Sequence, residues 1–282
     1  MRIGFIDHHL NNYHANKFLG ILRNTLDVEL VGAWESDPTG EDWCEKNGVP
    51  RLASAQAVVD ESDAIIVLSP DNIDAHLKLA EAALRSGKPL YIDKLLAVTL
   101  ETARTIFDDA DRFNTPVMSA SSLRFSTELE ALIKQLDGKE FDGLYSRGFG
   151  KWRGYAIHTI QPALRLLGGR VRRVIDTGSE KEHFICIENA DGKRAHIEMR
   201  ESTNQMEVLS WEIGARSEGA YHLANVKLFD EFYENLMREV IQFFKTGKSP
   251  VSREEQLDAV LVEVMATKSF QAGGTWVDVE AS

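Results

Sequence analysis

The stretch Ala64-Ile65-Ile66-Val67-Leu68-Ser69 is an unbroken apolar run that stops on a small polar residue. A strand with one wet face would alternate apolar and polar residues. A continuous run fits a strand buried on both faces, as in a parallel sheet covered by helices. The flanking segments agree. Before it, Arg2–Asp7 and Val28–Trp34 read as strands, Asn16–Asn24 as a helix carrying Phe18, Leu19 and Leu22, and Ser54–Val59 as a short helix. After it, Ala75–Arg85 reads as a helix closed by Ser86-Gly87, and Leu90–Asp93 as a strand. Thr99–Phe113 follows as a helix with Leu100, Ala103, Ile106 and Phe107 on one face, and Pro116–Ala120 as a last strand. Strands alternating with helices need crossover connections, hence a parallel sheet. Residues 1–120 are therefore expected to form a Rossmann-like, doubly wound α/β domain.

After Ser121 the pattern changes. His183–Arg200 holds two strand-like runs around Asn189-Ala190-Asp191-Gly192, a hairpin signal. Met206–Ala215 and Ala220–Val226 read as a second hairpin around Ser217-Glu218-Gly219. Leu228–Phe244 carries a stripe of Phe229, Phe232, Tyr233, Leu236, Val240 and Phe243, and Ser252-Arg253-Glu254-Glu255 matches a helix capping box. Residues 121–282 are expected to form an α+β domain with an antiparallel sheet, with the site in the cleft between the halves.

Composition narrows the function. The chain has 282 residues, 43% hydrophobic and 27% charged, as in ordinary globular proteins. A formal net charge of -12 argues against nucleic acid or an anionic membrane as the main partner. The two cysteines, Cys44 and Cys186, imply no disulfide framework, which suits a reducing cytoplasm. No signal peptide is visible, and no apolar run reaches the ~18–20 residues that would cross a bilayer.

In an open parallel sheet, ligands bind at the C-terminal ends of the strands. Three such ends carry polar residues: Glu35, Ser69-Pro70-Asp71-Asn72, and Asp93-Lys94. A lysine delivered there can stabilise negative charge on a reacting oxygen. Glu35 can accept both ribose hydroxyls of an adenosine and would repel a 2′-phosphate.

Together these residues resemble the glucose–fructose oxidoreductase / inositol dehydrogenase family (Gfo/Idh/MocA). Ser69-Pro70…His76 followed by Asp93-Lys94-Leu95 is similar to the family's Thr-Pro…His and its later Glu-Lys-Pro. Arg124-Phe125 resembles the Arg-Phe pair after the last Rossmann strand. His158, within Tyr155–Gly168, resembles the substrate-facing histidine of the second domain. The resemblance spans nearly the whole chain. It implies NAD-dependent oxidation or reduction of a sugar, polyol or sugar derivative at a secondary alcohol or ketone carbon. It also implies assembly into a homodimer or homotetramer through the second-domain sheet. On that reading Lys94, His158 and Tyr155 are catalytic, and Arg124, Trp152 and Gln161 bind substrate. Asp7, His8, His9, Asn12, His14, Glu35, Ser69, Asp71, Asn72, His76 and Asp93 bind the cofactor, with NAD preferred to NADP because of Glu35.

The chain departs from the family at two places. Asp7, His9 and Asn12 stand where the family has the glycines of Gly-x-Gly-x-x-Gly, and Gly154 and Gln161 stand where it often has aspartates near the histidine. The glycines let backbone approach a pyrophosphate, so His8, His9 and His14 would have to supply donors in their place. No metal is expected at these histidines, because adjacent His8 and His9 would point apart if the strand continued. The altered loop also leaves open a lyase or isomerase that uses Lys94 and His158 for proton transfer, or a non-catalytic sugar-binding protein.

Overall fold

The apolar run Ala64–Val67 is β3, the central strand of a five-stranded parallel sheet in the order β2-β1-β3-β4-β5 in the computed structural model. The structure describes residues 1–202 and 210–279. β1 is Arg2–Asp7, β2 Glu29–Glu35, β4 Leu90–Ile92 and β5 Val117–Met118. Every residue of β3 and β4 is buried, which is why neither strand alternates. The helices α1 (Tyr13–Arg23), α2 (Trp43–Asn47), α3 (Ala55–Glu61), α4 (His76–Leu84) and α5 (Leu100–Phe113) join the strands. Side-chain caps start four of them: Asn12 accepts from Ala15 N–H at 2.9 Å, Asp42 from Glu45 N–H at 3.0 Å, Ser54 from Ala57 N–H at 3.1 Å and Thr99 from Thr102 N–H at 3.1 Å. Each such cap contributes about 1 kcal/mol. Gly4 in β1 sits under α3, where a Cβ would lie 2.4 Å from both Ser62 Oγ and Val58 Cγ1.

Among the described residues, the second sheet has seven strands in the order β11-β10-β6-β9-β8-β7-β12. These are β6 Asp142–Phe149, β7 Val171–Asp176, β8 Glu182–Asn189, β9 Arg194–Arg200, β10 Trp211–Ser217, β11 Ala220–Val226 and β12 Val277–Asp278. The β8–β9 hairpin turns where Asn189–Gly192 predicts. The sheet is mixed, not antiparallel throughout, because β6 and β9 run parallel. Residues 206–209 of the second expected hairpin lie outside the described residues. Among the described residues the second half also holds helices α6 (Thr127–Leu136), α7 (Trp152–Tyr155), α8 (Ile157–Leu167), α9 (Phe229–Thr246) and α10 (Arg253–Gln271). Arg153 has ψ 119° and Gly154 has φ 87°, so a short turn precedes α8. Only glycine adopts that φ at no steric cost. This gives the residue at the family's aspartate position a backbone role.

Two compact units result: Met1–Ala120 with Leu236–Arg253, and Ser121–Asn235 with Glu254–Ser282. Residues 236–253 thus fall outside the 121–282 division expected from sequence. Among the described residues, no helix is long and apolar enough to cross a membrane.

Candidate functional site

In the first unit, the polar residues gather at the C-terminal ends of β1, β2, β3 and β4, as the sheet topology requires. The loop after β1 is organised by a buried acid. Asp7 Oδ1 accepts from the backbone N–H of His8 at 2.6 Å, of His9 at 3.2 Å and of Ser69 at 3.0 Å. Its Oδ2 accepts from Asn12 Nδ2 at 2.8 Å. The carboxyl thus fills the turn that glycines leave open in a dinucleotide-binding loop. Burial pushes its pKa up to about 7, against the opposing pull of these four donors. Glu35 is also buried. It accepts from Leu10 N–H at 2.7 Å and from Arg51 at 2.9 Å.

At the end of β4, His14 Nδ1 lies 2.5 Å from Asp93 Oδ2. Burial alone would raise the Asp93 pKa, but the charge and hydrogen bond of His14 and the charge of Lys94 outweigh it and hold the carboxyl below its usual range. Tyr91 Oη lies 3.0 Å from Ala120 O and 3.4 Å from Asp93 Oδ1. Lys94 is only 5% exposed, and the Lys94–Leu95 peptide is cis. Asp7, Asn12, His14, Glu35, Ser69, Asp93 and Lys94 are therefore brought together around adjoining strand ends.

Other expected cofactor residues have different places. His76 is fully buried, with Nδ1 3.2 Å from Leu96 O and Nε2 2.9 Å from Leu68 O and 3.2 Å from Ser69 O. It ties the turn after β3 to the segment after Lys94, so it positions backbone and presents no ring nitrogen to a ligand. Burial pushes its pKa down. Ser69 Oγ donates to Asn72 O at 3.0 Å, Asn72 makes no side-chain cap bond, and Asp71 is exposed. His8 and His9 do not point apart. β1 ends at Asp7, and their ring centroids are 4.2 Å apart.

In the second unit, His158 is buried on α8, with Nδ1 2.7 Å from Ser121 Oγ. Tyr155 and Trp211 meet its ring edge-on at 5.5 and 5.9 Å. Trp211 Nε1 is buried and has no acceptor among the described residues. Gln161 Oε1 accepts from Ser121 N–H at 2.5 Å, so Ser121 holds two of the expected residues in register. Arg124, expected at the substrate, is engaged at two points by Glu255, Nε to Oε1 at 2.5 Å and an Nη to Oε2 at 2.9 Å. Trp152, expected against a sugar face, stacks on His183 at 4.2 Å and donates from Nε1 to Thr267 Oγ1 at 2.9 Å. Sequence reasoning missed Ser121, Tyr91 and Arg51. Ser121 carried a signal, since it directly follows Pro116–Ala120, the stretch read from sequence as the last parallel strand. Arg51 carried none, because a lone arginine in a loop looks like surface.

Residues 3–121 match the family model for the oxidoreductase family with an NAD-binding Rossmann fold (GFO_IDH_MocA). None of the curated proteins compared with the chain matches it. Solved structures do. A protein from Thermotoga maritima described as a "probable dehydrogenase" superposes with a TM-score of 0.84 at 16% identity, covering 99% of both chains. Myo-inositol dehydrogenase from Lactobacillus casei, solved with NAD(H) and myo-inositol, gives 0.82 at 16% identity over 100% of this chain and 97% of that one. Myo-inositol dehydrogenase from Corynebacterium glutamicum gives 0.81 at 16% identity over 100% and 99%. At these identities the structural likeness establishes the fold.

Proposed function

We propose, from the match of residues 3–121 to the family model for the Gfo/Idh/MocA oxidoreductases with an NAD-binding Rossmann fold, that this protein is an NAD-linked oxidoreductase. Its substrate would be a sugar, polyol or sugar derivative, interconverted between secondary alcohol and ketone. One observation carries the reading: a buried lysine follows a buried aspartate at the end of β4, and His14 fixes that aspartate. The polyol assignment draws on the inositol dehydrogenases among the structural neighbours.

The donor set fits a dinucleotide with a changed division of labour. The N–H groups of His8 and His9 are taken by Asp7, so they cannot cradle a pyrophosphate as a glycine loop does. Asp7 is buried, and its carboxyl is met by three backbone N–H groups and the Asn12 amide, so it faces inward. The N-terminus of the 11-residue helix α1 remains the element that favours phosphate. Glu35 accepts two hydrogen bonds from the protein, and a carboxylate has about four lone-pair sites, so it keeps capacity for ribose hydroxyls.

A bound nicotinamide would supply the hydride acceptor or donor for the reacting carbon. Lys94 would donate to the reacting oxygen, its charge offsetting the alkoxide that develops as the O–H proton leaves. Asp93, held ionised by His14, lies next to Lys94 in sequence. By the resemblance, His158 would act as proton acceptor in oxidation and proton donor in reduction, with Ser121 fixing its ring through Nδ1.

The test is dinucleotide binding followed by tryptophan fluorescence, then turnover of a polyol panel read as NADH. Lys94→Met is expected to lower kcat by about 10²–10³-fold, the cost of one transition-state donor, with NAD affinity little changed. Absence of NAD binding at millimolar concentration overturns the reading.

A further inference from the structure

We propose that His8, His9 and Asp37 form a binding site for a divalent transition-metal cation of the zinc class. Nothing in the oxidoreductase reading requires it, and it stands on its own geometry. Among the described residues, these three offer ligand atoms that all lie within 4.8 Å of one another. His8 Nε2 is 4.0 Å and His9 Nε2 is 3.8 Å from Asp37 Oδ2. Both separations exceed a hydrogen bond, so neither imidazole satisfies the carboxylate directly.

The other ring nitrogens settle which atoms face inward. His9 Nδ1 is hydrogen-bonded to the backbone carbonyl of Asp37. A carbonyl only accepts, so the ring hydrogen sits on Nδ1 and Nε2 carries the lone pair. His8 Nδ1 is 2.8 Å from Ser36 Oγ, which leaves its Nε2 toward the same point. Metal-binding histidines are held in this way, with the remote ring nitrogen bonded to a carbonyl or another oxygen and the near one left basic. Two ring nitrogens and a carboxylate oxygen then converge on one point, which suits a cation.

The dimensions and chemistry fit. Two bonds of about 2.1 Å at a tetrahedral angle place their donor atoms about 3.4 Å apart. The observed 3.8 and 4.0 Å need only small side-chain rotations to reach that. Imidazole and carboxylate together suit zinc, cobalt, nickel or copper better than magnesium or calcium. The backbone is already fixed, since Ser36 N–H donates to Asp7 O at 3.0 Å and Asp37 N–H to His8 O at 3.1 Å. Asp37 is 60% exposed and the two imidazoles 28% and 29%, so a cation can enter and keep a position for water.

The experiment uses the full chain, stripped with chelator and titrated with Co²⁺ by visible absorption and with Zn²⁺ by calorimetry. The expected result is saturable uptake of one ion, with ligand-field bands of tetrahedral or five-coordinate cobalt. His9→Ala and Asp37→Asn should each weaken uptake at least tenfold, and His8→Ala with His9→Ala should abolish it, while circular dichroism and melting of the metal-free protein stay unchanged. Failure to take up one equivalent overturns the proposal. So does uptake that survives the double histidine variant, which would place the metal elsewhere.

Discussion

His14, on the first turn of α1, reaches 2.5 Å to Asp93, at the end of β4, across a sequence separation of 79 residues. The pair joins the altered loop after β1 to the lysine-bearing strand end, and both side chains are almost wholly buried. Neither residue tolerates being left alone there, since an unpaired buried charge costs far more than an exposed one.

Removing one partner should therefore be costly. Asp93→Asn is expected to lower stability by about 3–5 kcal/mol near neutral pH. The pH dependence has a definite sign. The folded-state pKa of Asp93 lies below its unfolded value, so its contribution is present above about pH 4 and is lost as pH falls through the folded value. Urea denaturation of both proteins should show a stability gap at pH 7 that narrows below pH 4. A gap independent of pH would refute the assignment.

Glu35 accepts from Arg51, which also donates to Asp42. Glu35→Ala should remove the ribose acceptor and leave Arg51 able to meet a 2′-phosphate. Dissociation constants for NAD and NADP should shift in favour of NADP by about tenfold or more, one lost charged hydrogen bond and one gained. An unchanged ratio would show that the adenosine ribose is bound elsewhere.

Gly4→Ala should destabilise the first unit by about 1–3 kcal/mol, because the new methyl overpacks against Val58 and Ser62. A paired Val58→Ala, which opens space beside it, should recover part of that loss in thermal melts. Additive losses would mean the contact is not the cause.

Tyr221 and Leu223 alternate on one face of β11 and are 60% and 53% exposed. If the second-domain sheet carries a homo-oligomer contact, as the family resemblance leads us to propose, Leu223→Glu should lower the mass measured by light scattering to that of one chain. A wild-type protein already of that mass would remove the basis for the contact.

How much was legible in the sequence differs by kind of information. The unbroken apolar run at Ala64–Leu68, the alternation of strands and helices around it, and the hairpin at Asn189–Gly192 are local patterns. Burial on both faces or a tight turn imposes them on nearby residues, so the parallel domain and the position of Lys94 at a strand end could be read directly. β6, β7 and β12 were not legible. β6 and β7 alternate charged residues with apolar ones at an irregular spacing, and β12 is two residues long.

What only the tertiary structure decided are the partnerships across long separations. Asp7 reads as a repulsive substitution in a glycine loop until it is seen taking the N–H groups of His8, His9 and Ser69. His76 and Arg124 read as ligand contacts until their polar atoms are found on Leu68, Ser69 and Leu96, and on Glu255. His8 and His9 read as diverging until β1 is seen to stop at Asp7. Periodicity reports which residues are buried, because burial is an average over one face of an element. It carries no record of which polar group answers another, because hydrogen bonds and ion pairs depend on a few ångströms of placement that only the folded chain fixes.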